Sequence, residues 1–231
     1  MTDASATPSP NIWESPEAYE LENRAVDRAG VIEAAVRDVL DWDGRDVLDV
    51  GCGDGFHLPH FAATARTVVG VEPHPPLVVR ARRRVGNLPT VRVVQASAAD
   101  TTLPDASVDV AHARWAYFFG PGCEPGLAEL DRLVRPGGAA FVVDNDTTRS
   151  TFGTWFRRSV RRYDPEAVER FWTRQGWSCR RLDIASTFDS PEDFASVLRI
   201  EFPAALADEI LAADPDRTTV DYAVNFWWRR Y

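Results

Sequence analysis

The chain has 231 residues, of which 45% are hydrophobic, and a formal net charge of −9. This length suits one domain with a sizeable core. The negative charge argues against a nucleic-acid partner, because such proteins usually need a basic face for the phosphates. No run approaches the roughly 18 apolar residues of a membrane helix, so we expect no membrane association.

The cysteines and histidines predict no metal site. Three cysteines and four histidines are present, and their spacing matches no common set of metal ligands. Residues 1–10 have neither the basic nor the apolar region of a secretory signal, and we interpret them as a tail. An odd number of cysteines in a chain without a secretory signal predicts reduced thiols and hence a cytoplasmic protein. Two arginine clusters, residues 80–84 and 157–162, are interpreted as solvated helix faces.

Strands and helices are predicted to alternate in the first two thirds of the chain. Parallel strands covered by helices on both faces, an α/β fold, are the structure that such alternation favours. The predicted elements, in chain order, are a helix over 17–42, a strand over 46–50, a helix over 56–65, a strand over 67–71, a helix over 75–85, strands over 90–95 and 108–113, a helix over 126–134 and a strand over 139–144.

After residue 146 the pattern changes to paired helices. Helices are predicted over 152–163 and 165–175, and Asp164 is a good N-cap for the second, with Gly176 as its stop. A strand over 177–187 follows. Further helices are predicted to open at Ser190 and near Pro203, before a final strand over 220–229.

A glycine-rich turn follows the first predicted strand. Asp49 ends the strand, and Gly51, Gly53 and Gly55 follow with one residue between each pair. Glycines permit a tight turn and the close approach of a ligand to the backbone. The spacing is tighter than that of dinucleotide-binding turns, and a carboxylate here suits a cationic amino acid better than a pyrophosphate. Glu72 ends the next strand 23 residues later, where an acid can accept hydrogen bonds from ribose hydroxyls.

These motifs resemble those of the class I S-adenosylmethionine-dependent methyltransferases, in the broad group that includes the ubiquinone/menaquinone-type enzymes. The resemblance covers about residues 45–146 and is carried by residues 47–55, Glu72, and residues 103–105, 108–110 and 133–138. For the fold it implies a doubly wound, Rossmann-like, seven-stranded and mostly parallel sheet. The last strand would be antiparallel and inserted near one edge, a role that residues 220–229 fit.

The resemblance implies S-adenosylmethionine as cofactor. Asp49, Gly51 and Gly53 would hold its methionine end, Glu72 its ribose, and Pro73, Ser97 and Ala98 would lie near its adenine. Many relatives have an acid where Ser97 stands, so recognition of the adenine amine must differ here. The complete predicted set is Asp49, Gly51, Cys52, Gly53, Gly55, Glu72, Pro73, Ser97, Ala98, Ala113 and Arg114.

The acceptor is expected above the carboxyl ends of the fourth and fifth strands, where ligands of doubly wound sheets bind. Candidate catalytic residues are His112, Arg114, Tyr117 and Asp146, and candidate substrate-binding residues are Trp13, Tyr19, Trp115 and Asn145.

Five alternatives remain open. His112 can be a hydrogen-bonded core histidine instead of a base, and Asp146 can be the cap of a turn. The aromatic run over 115–119 can serve packing, and Arg114 can form an ion pair with Asp144 or Asp146. His57 can touch a ligand, although packing at the surface is the simpler interpretation.

The resulting hypothesis is a single domain over residues 1–231 that methylates oxygen, nitrogen or carbon of a small molecule, as a monomer or homodimer. Residues 1–28 would form a tail and lid, 29–146 the cofactor-binding core, and 147–231 the acceptor-shaping insertion and final strands. Two alternatives are a cofactor-binding protein without methyl transfer, such as a cyclase or regulatory module, and a nicotinamide enzyme.

Overall fold

A computed structural model describes residues 8–117, 120–160 and 163–231 of the chain. Phe118 and Phe119 of the predicted aromatic run lie outside the described residues. So do residues 1–7 of the predicted tail, and Arg161 and Arg162 of the second arginine cluster. The description below concerns the rest.

Seven strands form one sheet whose order is β3-β2-β1-β4-β5-β7-β6. Strands β1 to β5 pair in parallel, and β7 is antiparallel to both of its neighbours, β5 and β6. This confirms the predicted doubly wound sheet with an antiparallel last strand inserted near the edge. The strands are β1 (Asp46–Val50), β2 (Thr67–Glu72), β3 (Val91–Gln95), β4 (Val108–Arg114), β5 (Val134–Asn145), β6 (Ser178–Thr187) and β7 (Thr219–Arg230).

The described part of the chain contains ten helices. None of them has the length and apolar character needed to cross a bilayer. Two buried hydrophobic clusters are present, and the largest fully buried side chains include Trp172, Trp227 and Phe141. The helices are α1 (Pro10–Glu14), α2 (Pro16–Ala25), α3 (Val31–Val39), α4 (Leu58–Ala62), α5 (Pro75–Arg84), α6 (Glu124–Leu133), α7 (Thr151–Ser159), α8 (Pro165–Arg174), α9 (Pro191–Glu201) and α10 (Ala204–Ala213).

Local chemistry explains why α8 begins and ends where it does. The Asp164 carboxylate accepts hydrogen bonds from the backbone N–H groups of Glu166 and Ala167, as an N-cap does. Gly176, just past the helix, has a φ of +78°, a conformation that favours glycine. Both predicted signals are confirmed.

The single helix predicted over 17–42 is wrong, because α2 and α3 are separate. Between them Val26 forms a bridge to Ser186 of β6, and the Asp27 N–H donates to the carbonyl of Ala185 at 2.9 Å. The Asp27 carboxylate accepts from the first backbone N–H groups of α3. These contacts with β6, which lies far away in the sequence, end α2 although the hydrophobic pattern alone predicts one continuous helix. The helix predicted over 56–65 is also shorter, as α4.

Candidate functional site

A cavity of about 330 Å³ lies where the loops after β1, β2, β3 and β4 meet the N-terminal helices. A volume of this size is typical of sites for small ligands. Thirteen of the residues predicted for the cofactor and acceptor line it: Trp13, Tyr19, Asp49, Gly51, Cys52, Gly53, Glu72, Pro73, Ser97, Ala98, Arg114, Trp115 and Tyr117.

We distinguish two groups of lining residues. The glycine-loop side comprises Asp49, Gly51, Gly53, Glu72 and Ser97. The arginine side comprises Tyr19, Asn23, His57, Arg114 and Trp115.

At two glycines of the loop, neighbouring residues lie so close that a larger side chain would collide with them. Gly51 has a φ of +70°, and a Cβ built there would lie 2.6 Å from the Cβ of Ala116. A Cβ on Gly53 would lie 2.7 Å from the Cδ1 of Ile12 in α1. The N–H groups of Gly51 and Cys52 both donate to the carbonyl of Val71, which ties the loop to β2. The result is a fixed backbone surface open to the cavity.

Asp49 is buried and pairs with His112. The His112 Nδ1 lies 2.9 Å from Oδ1 of Asp49, and the His112 ring packs against Phe61 at 5.1 Å. His112 is itself buried and is not part of the described cavity lining. The alternative of a hydrogen-bonded core histidine therefore describes its surroundings best, with Asp49 as the group that it holds in place.

Glu72 is a second buried acid on the glycine-loop side. It accepts hydrogen bonds from the backbone N–H groups of Gly53 at 3.1 Å and His74 at 2.9 Å. Burial raises the pKa of Glu72 to about 6, and these two hydrogen bonds oppose the rise. Ser97 is also buried, and its Oγ has no hydrogen-bond partner in the described protein. A buried polar atom facing a cavity is normally satisfied by a ligand or by water.

The N-terminal helices cover the cavity. Ile12 and Trp13 of α1 line it, and the Trp13 ring stacks on that of His74 with centroids 4.3 Å apart. The Asn11 side-chain amide donates to the Glu201 carboxylate of α9. This placement fits the lid predicted for this segment.

Trp115 has a conformation that is unusual for a bulky residue. Its φ is +52°, in the left-handed region. Its backbone N–H donates to the carbonyl of Val143 at 2.9 Å, and its Nε1 donates to Oδ1 of Asn145 at 2.7 Å. The Tyr222 hydroxyl donates to the same oxygen, and the Tyr222 ring stacks on Trp115. Strained backbone of this kind persists only where the surroundings hold it, and often at functional sites.

Asn145 therefore positions Trp115. It is buried and does not belong to the described cavity lining, although the sequence predicted it as a substrate contact. Gly55 and Ala113 are also outside the described lining: Gly55 packs against Ala81 of α5, and Ala113 is buried in β4.

Asp146 and Tyr117 are committed to structural contacts. Asp146 is buried outside the described lining, accepts hydrogen bonds from Thr148 and forms an ion pair with Arg149 at 3.2 Å. These contacts fit the alternative of a turn cap. The Tyr117 hydroxyl donates to the carbonyl of Gly126 at 3.5 Å, so it is partly engaged with α6 even though its ring lines the cavity.

Arg114 lines the cavity and is half-buried. Its guanidinium lies over the Trp115 ring, with the central carbon 4.6 Å from the ring centroid. Among the described residues it has no ion pair, so the alternative of a pair with Asp144 or Asp146 is not observed. Burial lowers the pKa of Arg114, although it stays a cation at neutral pH.

His57 is a lining residue that sequence reasoning gave little weight. Burial, and then the nearby charge of Arg114, lower the pKa of His57 well below its usual value. The imidazole is therefore neutral at neutral pH and can accept a proton. Asn23 and Asp54 were missed altogether, because nothing in a helix pattern or a glycine loop shows which polar side chains face a cavity.

The sequence matches known proteins over the region that builds this cavity. Residues 48–142 match a family whose description is a methyltransferase domain. A protein of Mycobacterium tuberculosis named as a probable S-adenosylmethionine-dependent methyltransferase is 46% identical over 66 residues, which are 29% of this chain and 23% of that protein. A tRNA U34 carboxymethyltransferase of Methylococcus capsulatus is 28% identical over 193 residues, 76% of this chain and 57% of that protein. Each alignment spans less than two thirds of the relative.

Solved structures share the fold at low sequence identity. The YcgJ protein of Bacillus subtilis superposes with a TM-score of 0.63 at 17% identity, over 88% of this chain and all of that one. The cyclase SpnF superposes with a TM-score of 0.59 at 21% identity, over 86% of this chain and 79% of that chain. At these identities the comparison shows the architecture alone.

Proposed function

We propose that this chain, whose residues 48–142 match a methyltransferase domain, is a class I S-adenosylmethionine-dependent methyltransferase that methylates a small-molecule acceptor bound on the arginine side of its cavity. The observation that carries the proposal is one cavity in which a glycine loop between two buried acids adjoins a group of polar and aromatic side chains. The narrower ubiquinone/menaquinone-type group remains a prediction.

The glycine-loop side has the chemistry that S-adenosylmethionine requires. Asp49 is a buried carboxylate for a cationic amino acid, Glu72 is a buried acceptor for ribose hydroxyls, and the free Ser97 Oγ is available to a purine. Cβ atoms on Gly51 and Gly53 would collide with Ala116 and Ile12, so glycine lets the loop backbone itself line the cavity. When bound, the cofactor supplies a methyl group on a sulfonium, the electrophile of the reaction.

The arginine side is proposed to bind and orient the acceptor. Trp115 is held rigidly by Asn145, and a rigid wall helps to align two reactants. Where the nucleophilic atom carries a proton, His57 is the imidazole that lines this side and can accept a hydrogen bond from it, since burial and the charge of Arg114 lower its pKa and keep it neutral. The helices α1 and α2 exclude water from the reacting groups.

The charge of the protein favours a small molecule over RNA as the methyl acceptor. The net charge is −9, and among described residues Arg114 is the one arginine that lines the cavity. RNA binding normally uses a basic surface. One relative is named for an activity on tRNA. Methyl transfer to RNA is therefore the alternative that the experiment must distinguish.

The test is incubation of the protein with methyl-labelled S-adenosylmethionine and either a metabolite extract or total RNA. We expect label in low-molecular-weight products, and S-adenosylhomocysteine as co-product. Label in RNA would contradict the small-molecule acceptor. Binding of the cofactor without any labelled product would favour a non-methylating role, such as that of the cyclase SpnF, whose fold is shared. The variant Glu72→Ala, which removes the proposed ribose acceptor, is the control.

Affinity for S-adenosylhomocysteine is expected to fall below pH 6. Burial raises the pKa of Glu72 to about 6, so below that pH the carboxylate that should accept from the ribose hydroxyls becomes protonated. Affinity should then drop by up to about tenfold per pH unit. Titration calorimetry between about pH 5 and 8 measures this. Glu72→Gln cannot ionise and should bind more weakly, with less dependence on pH.

The stability of the ligand-free protein has the opposite trend. Because the pKa of Glu72 is higher in the folded than in the unfolded protein, its contribution favours folding at low pH and is lost as pH rises through about 6. Equal pH dependence of binding in the wild type and in Glu72→Gln would contradict the assignment.

A further inference from the structure

Arg114 is a cation placed for a ligand that the protein itself does not supply. Its Nε is buried and has no hydrogen-bond partner. Its guanidinium carbon lies over the Trp115 ring, 4.6 Å from the centroid, while the side chain lines the cavity. Burying a charge without a partner is costly, so such groups normally have a counter-ion.

The neighbouring acids do not serve as that counter-ion. Asp27 and Asp49 act on Arg114 through space only. The Asp27 carboxylate is taken up by backbone N–H groups of α3, and one oxygen of Asp49, Oδ1, pairs with the imidazole of His112. Glu22 and Glu201 lie close enough to influence each other, and burial raises the pKa of both. None of these carboxylates is in ion-pair contact with Arg114 in the described part of the chain.

We propose that the methyl acceptor carries a carboxylate, which pairs with Arg114 on the face of Trp115. This inference rests on the proposed function and specifies its substrate class. A guanidinium presents a planar fork of N–H donors that matches a carboxylate. The Trp115 ring, fixed by Asn145, sets the plane of that fork. An anion there also separates Arg114 from the sulfonium, which it would otherwise repel.

We assign this carboxylate to the acceptor and not to the cofactor. Arg114 lines the cavity beside Trp115. Its charge acts on Tyr19 and His57 as well as on Asp49 of the glycine-loop side. The methionine end of the cofactor is assigned to Asp49, Gly51 and Gly53 on the glycine-loop side. A cofactor carboxylate that reached Arg114 is the competing possibility, and the experiment separates the two.

The experiment measures binding of carboxylate probes to protein saturated with S-adenosylhomocysteine. Benzoate, phenylacetate and 4-hydroxybenzoate are compared by titration calorimetry with their neutral amides. The variants are Arg114→Gln, which removes the charge, and Arg114→Lys, which keeps the charge without the fork. The matched control is Arg83→Gln, because Arg83 is exposed on α5 and is not in the described cavity lining.

We expect the wild type to prefer at least one carboxylate over its amide by about 10- to 100-fold, as charge-assisted hydrogen bonds do. Arg114→Gln should reduce the preference to less than about threefold, Arg114→Lys should retain part of it, and Arg83→Gln should retain all of it. Affinity for S-adenosylhomocysteine should be unchanged in every variant, which also shows that each one folds.

Three results would overturn the inference. The first is no preference for any carboxylate in the wild type, and the second is a preference that survives Arg114→Gln. The third is a loss of affinity in Arg114→Gln for S-adenosylhomocysteine but not for methylthioadenosine, which lacks the amino-acid carboxylate. Failure of the wild type to bind S-adenosylhomocysteine at all would instead reject the proposed function, so the two failures are distinguishable.

Discussion

Replacing Asp49 with alanine is expected to lower the affinity for S-adenosylhomocysteine by about 100-fold, because a buried carboxylate that binds a cationic group is worth roughly 1.5–3 kcal/mol. Asp49 is buried at the end of β1 and lines the cavity, and His112 fixes its orientation. The substitution removes the acceptor for the ligand ammonium and leaves the imidazole without its partner. Titration calorimetry at neutral pH measures the change.

Asp46→Ala is the matched control for this experiment. Asp46 begins the same strand, but its carboxylate pairs with Arg66 and Arg135 at the opposite end of β1 from the cavity. Its loss should lower stability while leaving the affinity of the folded protein nearly unchanged. An equal loss of affinity in both variants would show that Asp49 affects binding by supporting the structure of β1 and not by contacting the ligand.

Asn145→Ala is expected to lower the free energy of unfolding by about 2–4 kcal/mol, since each buried donor left without an acceptor costs about 1–3 kcal/mol. The Asn145 side-chain oxygen accepts from both Trp115 Nε1 and the Tyr222 hydroxyl. Without it, two donors lose their partner, and the left-handed backbone of Trp115 loses one of its restraints. Chemical denaturation followed by circular dichroism measures the difference.

Two further variants test this account of Asn145. Tyr222→Phe removes one donor and leaves no unpaired group behind. It should therefore lower the free energy of unfolding clearly less than Asn145→Ala does. Asn87→Ala alters an exposed asparagine and should change stability by less than about 0.5 kcal/mol. A cost for Asn145→Ala that is no greater than that of Asn87→Ala would mean that the two hydrogen bonds do not hold Trp115.

Local sequence predicted the parallel α/β pattern and the glycine loop, and the family resemblance supplied the seven-stranded sheet with its antiparallel last strand. Strand β1 begins and ends at the predicted residues, because a short apolar run followed by glycines has few other structures open to it. Asp49 and Glu72 could be predicted as cavity residues because each stands at a strand end beside the glycine loop. The strand and the loop are therefore encoded by residues close together in the chain, and the cofactor roles of the two acids are proposals.

The arginine side could not be predicted in the same way, because its geometry depends on pairs far apart in the sequence. Trp115 and Asn145 are 30 residues apart, and Tyr222 and Asn145 are 77 apart. Nothing near Arg114 indicates that it lacks an ion pair, since Asp144 and Asp146 follow at the end of the neighbouring strand. The break after α2 has the same origin, as it depends on a bridge from Val26 to Ser186.

The position of β7 sets an order in which the two sides of the cavity can be completed during synthesis. The strands and loops of the glycine-loop side lie early in the chain, whereas Tyr222, which anchors Asn145 and hence Trp115, lies on β7. Strand β6 also has to wait for β7, the strand with which it pairs along its length. On the ribosome, the proposed pocket for the methyl donor can therefore form before the wall that we propose for the acceptor.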